Sequence, residues 1–255
     1  MEIVPPSIGI SSPFNLFMYE RMTRKTRTAA VTAIVPTYNE AARIGRVLDV
    51  LTAYPGFAEV IVVDDGSWDG TERVAQRYPV RFLQNKKNRG KGFAMNRGVE
   101  LAKTPIVFFA DADVVGLTHE MIDQLVLPVV HEEVDMCIAM RGRWIYHLPG
   151  VLACIPHLGG ERAVQKTLWN ALPDYYKHRF RVETGLNYYA KHGGKGFYSI
   201  VFDDLTQVIK EKKYGFLRGT WLRWQMSYNV FTAHLRLKFI DHPAFLQGVS
   251  RRKKR

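Results

Sequence analysis

The chain has 255 residues, 47% hydrophobic and 24% charged, which is the composition of a folded globular protein and excludes a disordered one. Its formal charge of +12 and isoelectric point near 9.7 favour polyanionic partners, but no helix-turn-helix, zinc or RNA-recognition signature accompanies the charge, so no nucleic acid is expected. No apolar run approaches the roughly 20 residues that cross a bilayer, and the opening Met-Glu-Ile-Val-Pro-Pro lacks the features of a secretory signal.

Residues 1–30, rich in Pro, Ser and basic residues, read as a basic extension with a short helix around Phe14–Met22. From Val31 the chain alternates in type. Short β-branched runs (Val31–Val35, Val60–Val63, Val80–Leu83, Ile106–Ala110) are separated by helical stretches (Glu40–Ala53, Gly70–Tyr78, Gly92–Ala102). This alternation predicts a parallel sheet with right-handed crossovers, and ligands at the carboxyl ends of its strands. A further helix (Thr118–Val130) and strand (Val134–Ala139) follow. Residues 141–158, with Pro149, Gly150 and Pro156, are expected to form a loop across one side of the site. A second region begins at Gly159-Gly160-Glu161 and continues through Val182-Glu183-Thr184-Gly185-Leu186. The two cysteines, Cys137 and Cys154, give neither a disulfide framework nor a paired metal-ligand spacing, which points to a reducing, cytoplasmic compartment.

After Gly215, Leu217, Trp221, Trp224, Tyr228, Phe231 and Leu235 recur at steps of four and three, one face of a helix. Arg218, Arg223 and Arg236 flank that face. Such a stripe either lies in a membrane interface, with rings at the headgroups and guanidinium groups reaching outward, or packs on this domain or a second subunit as a homodimer contact. The tail Arg251–Arg255 and Arg21, Arg24, Lys25 and Arg27 hold nine positive charges. They are either solvated ends or a tether to an anionic membrane surface, with each charge adding ~1 kcal/mol.

Three motifs directly follow strands, so all three should gather on one sheet edge. Pro36-Thr37-Tyr38-Asn39-Glu40 closes the first strand: Thr37 and Tyr38 can line a base pocket, Asn39 can cap a helix, and Glu40 can face ribose or base. Asp64 and Asp65 close the second. Gly66 permits a close turn, and Ser67 or Asp69 caps the next helix. Asp65 is read as an acceptor for a base N–H or ribose hydroxyl. Asp111-Ala112-Asp113 follows the fourth strand. Carboxylates spaced i, i+2 at a strand end can converge on one hard cation if the strand breaks into a turn there. Mg²⁺ or Mn²⁺ bound this way keeps further positions for water and substrate phosphate. The alternative is a pair of turn-forming acids that begins the next connection. Between them, Arg89, Gly90 and Lys91 form a basic turn before a helix, which offers N–H groups and a cation to a diphosphate.

The runs PTYNE, VDDGSWDGT, NRGKGFAMNRG and FADADV resemble the nucleotide-sugar domain of glycosyltransferases with the GT-A fold. Family 2, with its polyprenyl-phosphate sugar synthases and glucosyl-3-phosphoglycerate synthases, is the nearest in pattern. The strong part covers residues 31–140, and a weaker similarity continues through GGERA (159–163) and VETGL (182–186). The resemblance implies a Rossmann-like α/β domain with a mixed, mainly parallel sheet and helices on both faces. It also implies a UDP- or GDP-sugar donor and a divalent metal. Pro36, Thr37, Tyr38, Glu40, Asp65, Lys91, Asp111 and Ala112 would then contact the nucleotide sugar, and Asp111, Asp113 and Gln207 the metal. Asp113 and Glu183 would carry the reaction.

Two positions depart from the pattern: Val115 stands where the mannose synthases carry a polar residue, and Gln207 where related soluble enzymes place a metal-binding His. Glu183 is open between acceptor base, acceptor positioning and a helix N-terminal acid. A sugar-1-phosphate nucleotidyltransferase would need a Gly-rich loop where this chain has Pro36–Glu40. The expected organisation is an extension (1–30), a GT-A domain (31–214) and an aromatic-rich helical region with a basic tail (215–255). The expected acceptor is a lipid-linked phosphate, such as a polyprenyl phosphate, or another membrane-surface group, at the cytoplasmic membrane face. A small soluble phosphorylated acceptor and a non-catalytic nucleotide-sugar-binding protein are the alternatives.

Overall fold

A computed structural model describes residues 31–142, 159–178, 181–207, 228–229, 231–233 and 235–241. The extension 1–30 with its expected helix, the loop beyond Gly142, Cys154, the basic tail, and Leu217, Trp221 and Trp224 of the stripe lie outside the described residues.

Seven strands form one sheet in the order β3-β2-β1-β4-β7-β6-β8. These are β1 (Val31–Thr37), β2 (Phe57–Asp64), β3 (Arg81–Gln84), β4 (Ile106–Phe109), β6 (Met136–Arg141), β7 (Arg162–Gln165) and β8 (Phe197–Phe202). β3, β2, β1 and β4 are mutually parallel, β7 runs antiparallel to both β4 and β6, and β6 is parallel to β8. The sheet is therefore mixed and mainly parallel. Separately, β5 (Val114–Val115) pairs antiparallel with β9 (Thr206–Gln207).

Both sheet faces are covered, which is why β4 reads as an unbroken apolar run and β1 as a nearly unbroken one interrupted by the buried Thr32. On one face, α1 (Ile44–Ala53) and α4 (His119–Val130) bring Ile44, Leu48, Leu51, Ile122 and Leu125 against Val35, Val62 and Phe108. On the other, α3 (Lys91–Leu101), α5 (Lys166–Ala171) and α6 (Arg181–Gly193) bring Met95, Val99, Trp169 and Leu186 against Ile34, Val63 and Phe109. The alternation along β4 is strict: Ile106 and Phe108 face one core, Val107 and Phe109 the other. A short α2 (Thr71–Ala75) and a 3₁₀ turn (Asp174–Lys177) complete the connections.

Several boundaries differ from the sequence reading. The helix expected from Glu40 begins at Ile44, because the preceding residues are committed to a turn: Asn39 has φ +55°. Its N–H, and those of Glu40 and Ala41, donate to Ser67 Oγ, Thr71 Oγ1 and Asp69 Oδ2. The second helix is shorter than expected, Thr71–Ala75, and the strand after α4 starts at Met136 rather than Val134. β7, β8 and the β5–β9 ribbon were not anticipated.

Near the C-terminus, helical residues 228–229, 231–233 and 235–236 lead into a π-helical turn, Leu237–Asp241. Ala233 and Leu237 are buried in the second core. Tyr176 donates its hydroxyl to Asp241, and Arg236 lies 4.1 Å over the Tyr175 ring and 3.3 Å from Asp241. The opposite face carries Tyr228, Phe231, Leu235 and Phe239, exposed by 65, 62, 41 and 67%. Among the described residues, the stripe residues Tyr228, Phe231 and Leu235 are therefore largely exposed rather than packed into a core.

Candidate functional site

The ends of β1, β2 and β4 bring the three motifs to one edge. Pro36 and Thr37 pair in register with Val63 and Asp64, and Asp65 N–H donates to Thr37 O at 2.8 Å. Asn39 Oδ1 accepts from Trp68 N–H at 3.1 Å, so side chains of each turn satisfy the backbone of the other. Tyr38 is half-buried and Glu40 is buried, with its carboxylate 3.2 Å from Arg43. Thr37 Oγ1 is buried and finds no hydrogen-bond partner among the described residues.

Asp65, 2% exposed, has a structural task beyond the sequence reading. Its carboxylate accepts from Asn85 Nδ2 (2.9 Å) and the backbone N–H groups of Arg89 (2.9 Å) and Gly90 (2.6 Å). It thereby ties β2 to the basic turn before α3. Burial raises its pKa, and these donors offset that only in part. Gly90 holds φ +95°, a conformation that side-chain-bearing residues rarely adopt, and this aims Lys91 from the first position of α3 across the edge.

Lys91 Nζ lies 2.7 Å from Asp111 Oδ1 and 3.4 Å from Glu183 Oε1. Glu183 sits in the first turn of α6, so three elements converge here. Burial works against the ammonium, yet Asp111 and Glu183 outweigh it and hold the Lys91 pKa above its usual value. Burial likewise works against the Asp111 carboxylate, and Lys91 and Arg141 overcome it to hold the pKa below the usual range. Val114 N–H donates to Asp111 O at 3.3 Å, closing the turn that carries Ala112 and Asp113, both nearly buried.

The sequence reading missed three charged residues of the site. Arg141, at the end of β6, lies 3.5 Å from Asp111 Oδ2 and 3.0 Å from Glu161 Oε2. Glu161 and Arg162 are both fully buried. Arg162 donates from Nε to Gly159 O at 3.0 Å and from Nη1 to Asn187 Oδ1 at 3.5 Å. Burial pushes the Glu161 carboxyl up to about 6 against the pull of Arg141. The available signal was a pair of adjacent charges, Glu161-Arg162, opening an apolar strand.

Among the described residues, no three His, Cys, Asp or Glu side chains are grouped to hold a metal. The donor chemistry nevertheless fits a hard cation. Asp111 and Asp113 share one turn, and β5–β9 pairing sets the backbone of Gln207 opposite Val114, the next residue. Two carboxylates and an amide are oxygen donors of the kind Mg²⁺ and Mn²⁺ take, although the amide is the weaker one. The Gln207 side chain lies outside what is described.

The family model for glycosyl transferase family 2 matches residues 32–242. The uncharacterized glycosyltransferase YaiP of Escherichia coli is 39% identical over 113 residues, 42% of this chain and 28% of that protein. The dolichyl-phosphate beta-glucosyltransferase of Homo sapiens is 38% identical over 102 residues, 34% of this chain and 32% of that one. The chain spans less than half the length of the curated relatives it matches. Among solved structures, glucosyl-3-phosphoglycerate synthase from Mycobacterium tuberculosis, in complex with Mn²⁺, UDP and glucosyl-3-phosphoglycerate, superposes with a TM-score of 0.69. That match is at 22% identity and covers 85% of this chain and 82% of the other, a likeness of fold. The sheet has the GT-A architecture, the family model takes in most of the chain, and the chain belongs to glycosyl transferase family 2.

Proposed function

We propose that this chain transfers a sugar from a UDP- or GDP-linked donor to a lipid-linked phosphate at an anionic membrane surface. The observation that carries the reading is the meeting of Lys91, Asp111 and Glu183 at the strand-end edge that also holds the Pro36–Glu40 and Asp64–Asp65 turns. In this reading Pro36, Thr37, Tyr38, Glu40 and Asp65 hold the nucleoside. The buried Thr37 hydroxyl is a polar group awaiting a partner. Lys91 and the Arg89–Gly90 turn hold the diphosphate.

Asp111, Ala112 and Asp113, with Gln207, form the cation side of the pocket. Mg²⁺ or Mn²⁺ bound there neutralises charge on the departing diphosphate. The bond from the anomeric carbon to the donor phosphate oxygen breaks, its electron pair stays on the diphosphate, and an acceptor oxygen bonds to that carbon. A phosphate acceptor is already anionic and needs no base, so Glu183 positions it; a hydroxyl acceptor would need Glu183 to take its proton. Lys91 moving from Asp111 toward the diphosphate exchanges one anion for another at no net loss of pairing.

The lipid-linked acceptor draws support from the exposed apolar face at Tyr228, Phe231, Leu235 and Phe239, from the +12 charge, and from the dolichyl-phosphate substrate in a relative's name. Among the described residues no helix is long and apolar enough to cross a membrane.

The test is release of UDP or GDP from a panel of nucleotide sugars with Mn²⁺ or Mg²⁺, then with EDTA. Polyprenyl phosphate is added or withheld, and Asp113→Ala is the control. Metal-dependent release lost in the variant supports the transferase, and lipid dependence selects the acceptor. Turnover with a small phosphorylated acceptor alone would replace the lipid reading. Nucleotide binding without turnover on any donor would leave a binding protein.

A further inference from the structure

One nitrogen at the site serves two carboxylates. Arg141 Nη2 lies 3.0 and 3.1 Å from the two oxygens of Glu161, and 3.5 Å from Asp111 Oδ2. Arg141 Nε is buried and has no hydrogen-bond partner among the described residues, so the guanidinium has no anchor there. The two carboxylates differ in how firmly they are held. Glu161 is fully buried and immediately precedes β7, and its carbonyl accepts from Ala139 N–H at 2.9 Å, which ties it to β6. Asp111 stands in the turn beyond β4, and its other oxygen is taken by Lys91.

Without the Glu161 carboxylate, Asp111 is the acid that acts most strongly on Arg141, ahead of Glu183 and Asp113. A guanidinium faced with a single carboxylate closes on it in the two-pronged geometry that planar groups favour. Asp111 would then be held tightly by Arg141 as well as by Lys91, and a divalent cation would have to displace both.

We infer that Glu161 is a positioning residue: it draws Arg141 away from Asp111 and so weakens the ion pair that a hard cation at Asp111 has to displace. This rests on the assignment of Asp111 as a metal ligand in the proposed function. It adds a buried acid that does not itself touch metal or substrate. Groups that orient metal ligands in this way typically govern affinity by 10- to 100-fold.

The experiment is a titration of the full chain with Mn²⁺ alone, read by the electron paramagnetic resonance of the free ion. Thermal unfolding of each variant reports whether it folds. Glu161→Gln is expected to weaken Mn²⁺ binding by about tenfold or more. Glu161→Asp, which keeps the charge on a shorter stem, should recover part of the loss. In an Arg141→Met background, Glu161→Gln should change affinity by less than about threefold, because the group it restrains is gone.

Equal Mn²⁺ affinity in Glu161→Gln and the unaltered chain would overturn the inference while leaving the metal assignment intact. A loss that persists in full in the Arg141→Met background would also overturn it, since Glu161 would then act without Arg141. Absence of Mn²⁺ binding in the unaltered chain would overturn the metal assignment and this role with it. If Glu161→Gln fails to fold, Glu161→Asp and the double variant, which removes both charges of the pair together, carry the same comparison.

Discussion

Gly160 shows how closely the site is packed at the level of single atoms. A Cβ at this position would overlap the carboxylate of Asp111, so the backbone entering β7 approaches that acid only because no side chain intervenes. Gly160→Ala is expected to push Asp111 out of place and reduce nucleotide-sugar turnover by about tenfold or more, with a stability cost of about 1–3 kcal/mol from overpacking. Paired assays of turnover and thermal unfolding would check this; unchanged turnover would show that Asp111 tolerates displacement. Cys137 makes the opposite point. It is fully buried on β6, and burial pushes its thiol up to about 12. At pH 8 that leaves about one thiolate in 10⁴ molecules. In a Cys154→Ser background, a thiol reagent should therefore react only after denaturant is added, and prompt reaction of the folded protein would contradict the burial.

At the scale of elements, the turns after β1 and β2 stabilise one another. Backbone donors of one turn meet side-chain acceptors of the other, so neither turn has its geometry alone. That reciprocity explains why α1 begins four residues later than the apolar pattern suggests. The C-terminal helix is attached more narrowly. Ala233 and Leu237 insert into the core, and the Asp241 carboxylate joins Tyr176 and Arg236. Leu237→Ala removes a fully buried side chain and should cost about 2–5 kcal/mol for this helix and the core beneath it. Protease sensitivity after residue 207 should rise in the variant before global unfolding, as measured by limited digestion against thermal denaturation. Coincident loss of both would show that the helix and sheet unfold as one unit.

Across the whole molecule, the exposed apolar face and the positive charge favour the same kind of surface. Burying two phenylalanines in a lipid interface is worth ~1.5–3 kcal/mol each, and attraction to anionic headgroups adds to that. The chain is therefore expected to co-sediment with vesicles containing about a third phosphatidylserine and not with neutral ones, and added salt should weaken the binding. Phe231→Ser with Phe239→Ser should reduce vesicle binding by about tenfold or more. Both positions are exposed, 62% and 67%, so folding should be little affected. A concentration-dependent dimer that masks this face, with no vesicle binding, would assign it to a second copy of the chain.

The fold class and the gathering of the motif turns on one sheet edge were legible in the sequence, because they rest on local signals. Strand-helix alternation fixes a parallel sheet, and a motif that directly follows a strand must lie at that strand's carboxyl end. Asp65, Lys91 and Asp111 accordingly stand on or beside the expected edge, whereas Glu183 reaches it from the first turn of α6. Other features were hidden because they depend on which distant segments meet. β7 is four residues long, opens with Arg162, and becomes a central strand only because β4 and β6 flank it. Arg141 and Glu161 carry no periodic signal; they became part of the site when β6 and the residue preceding β7 were brought beside Asp111. The sequence by itself determined which turns lie together at one edge of the sheet, since that information lies in strand ends and turns. Only the tertiary structure decided which charges pair there, because ion pairs are set by distances across the sheet that no sequence spacing encodes.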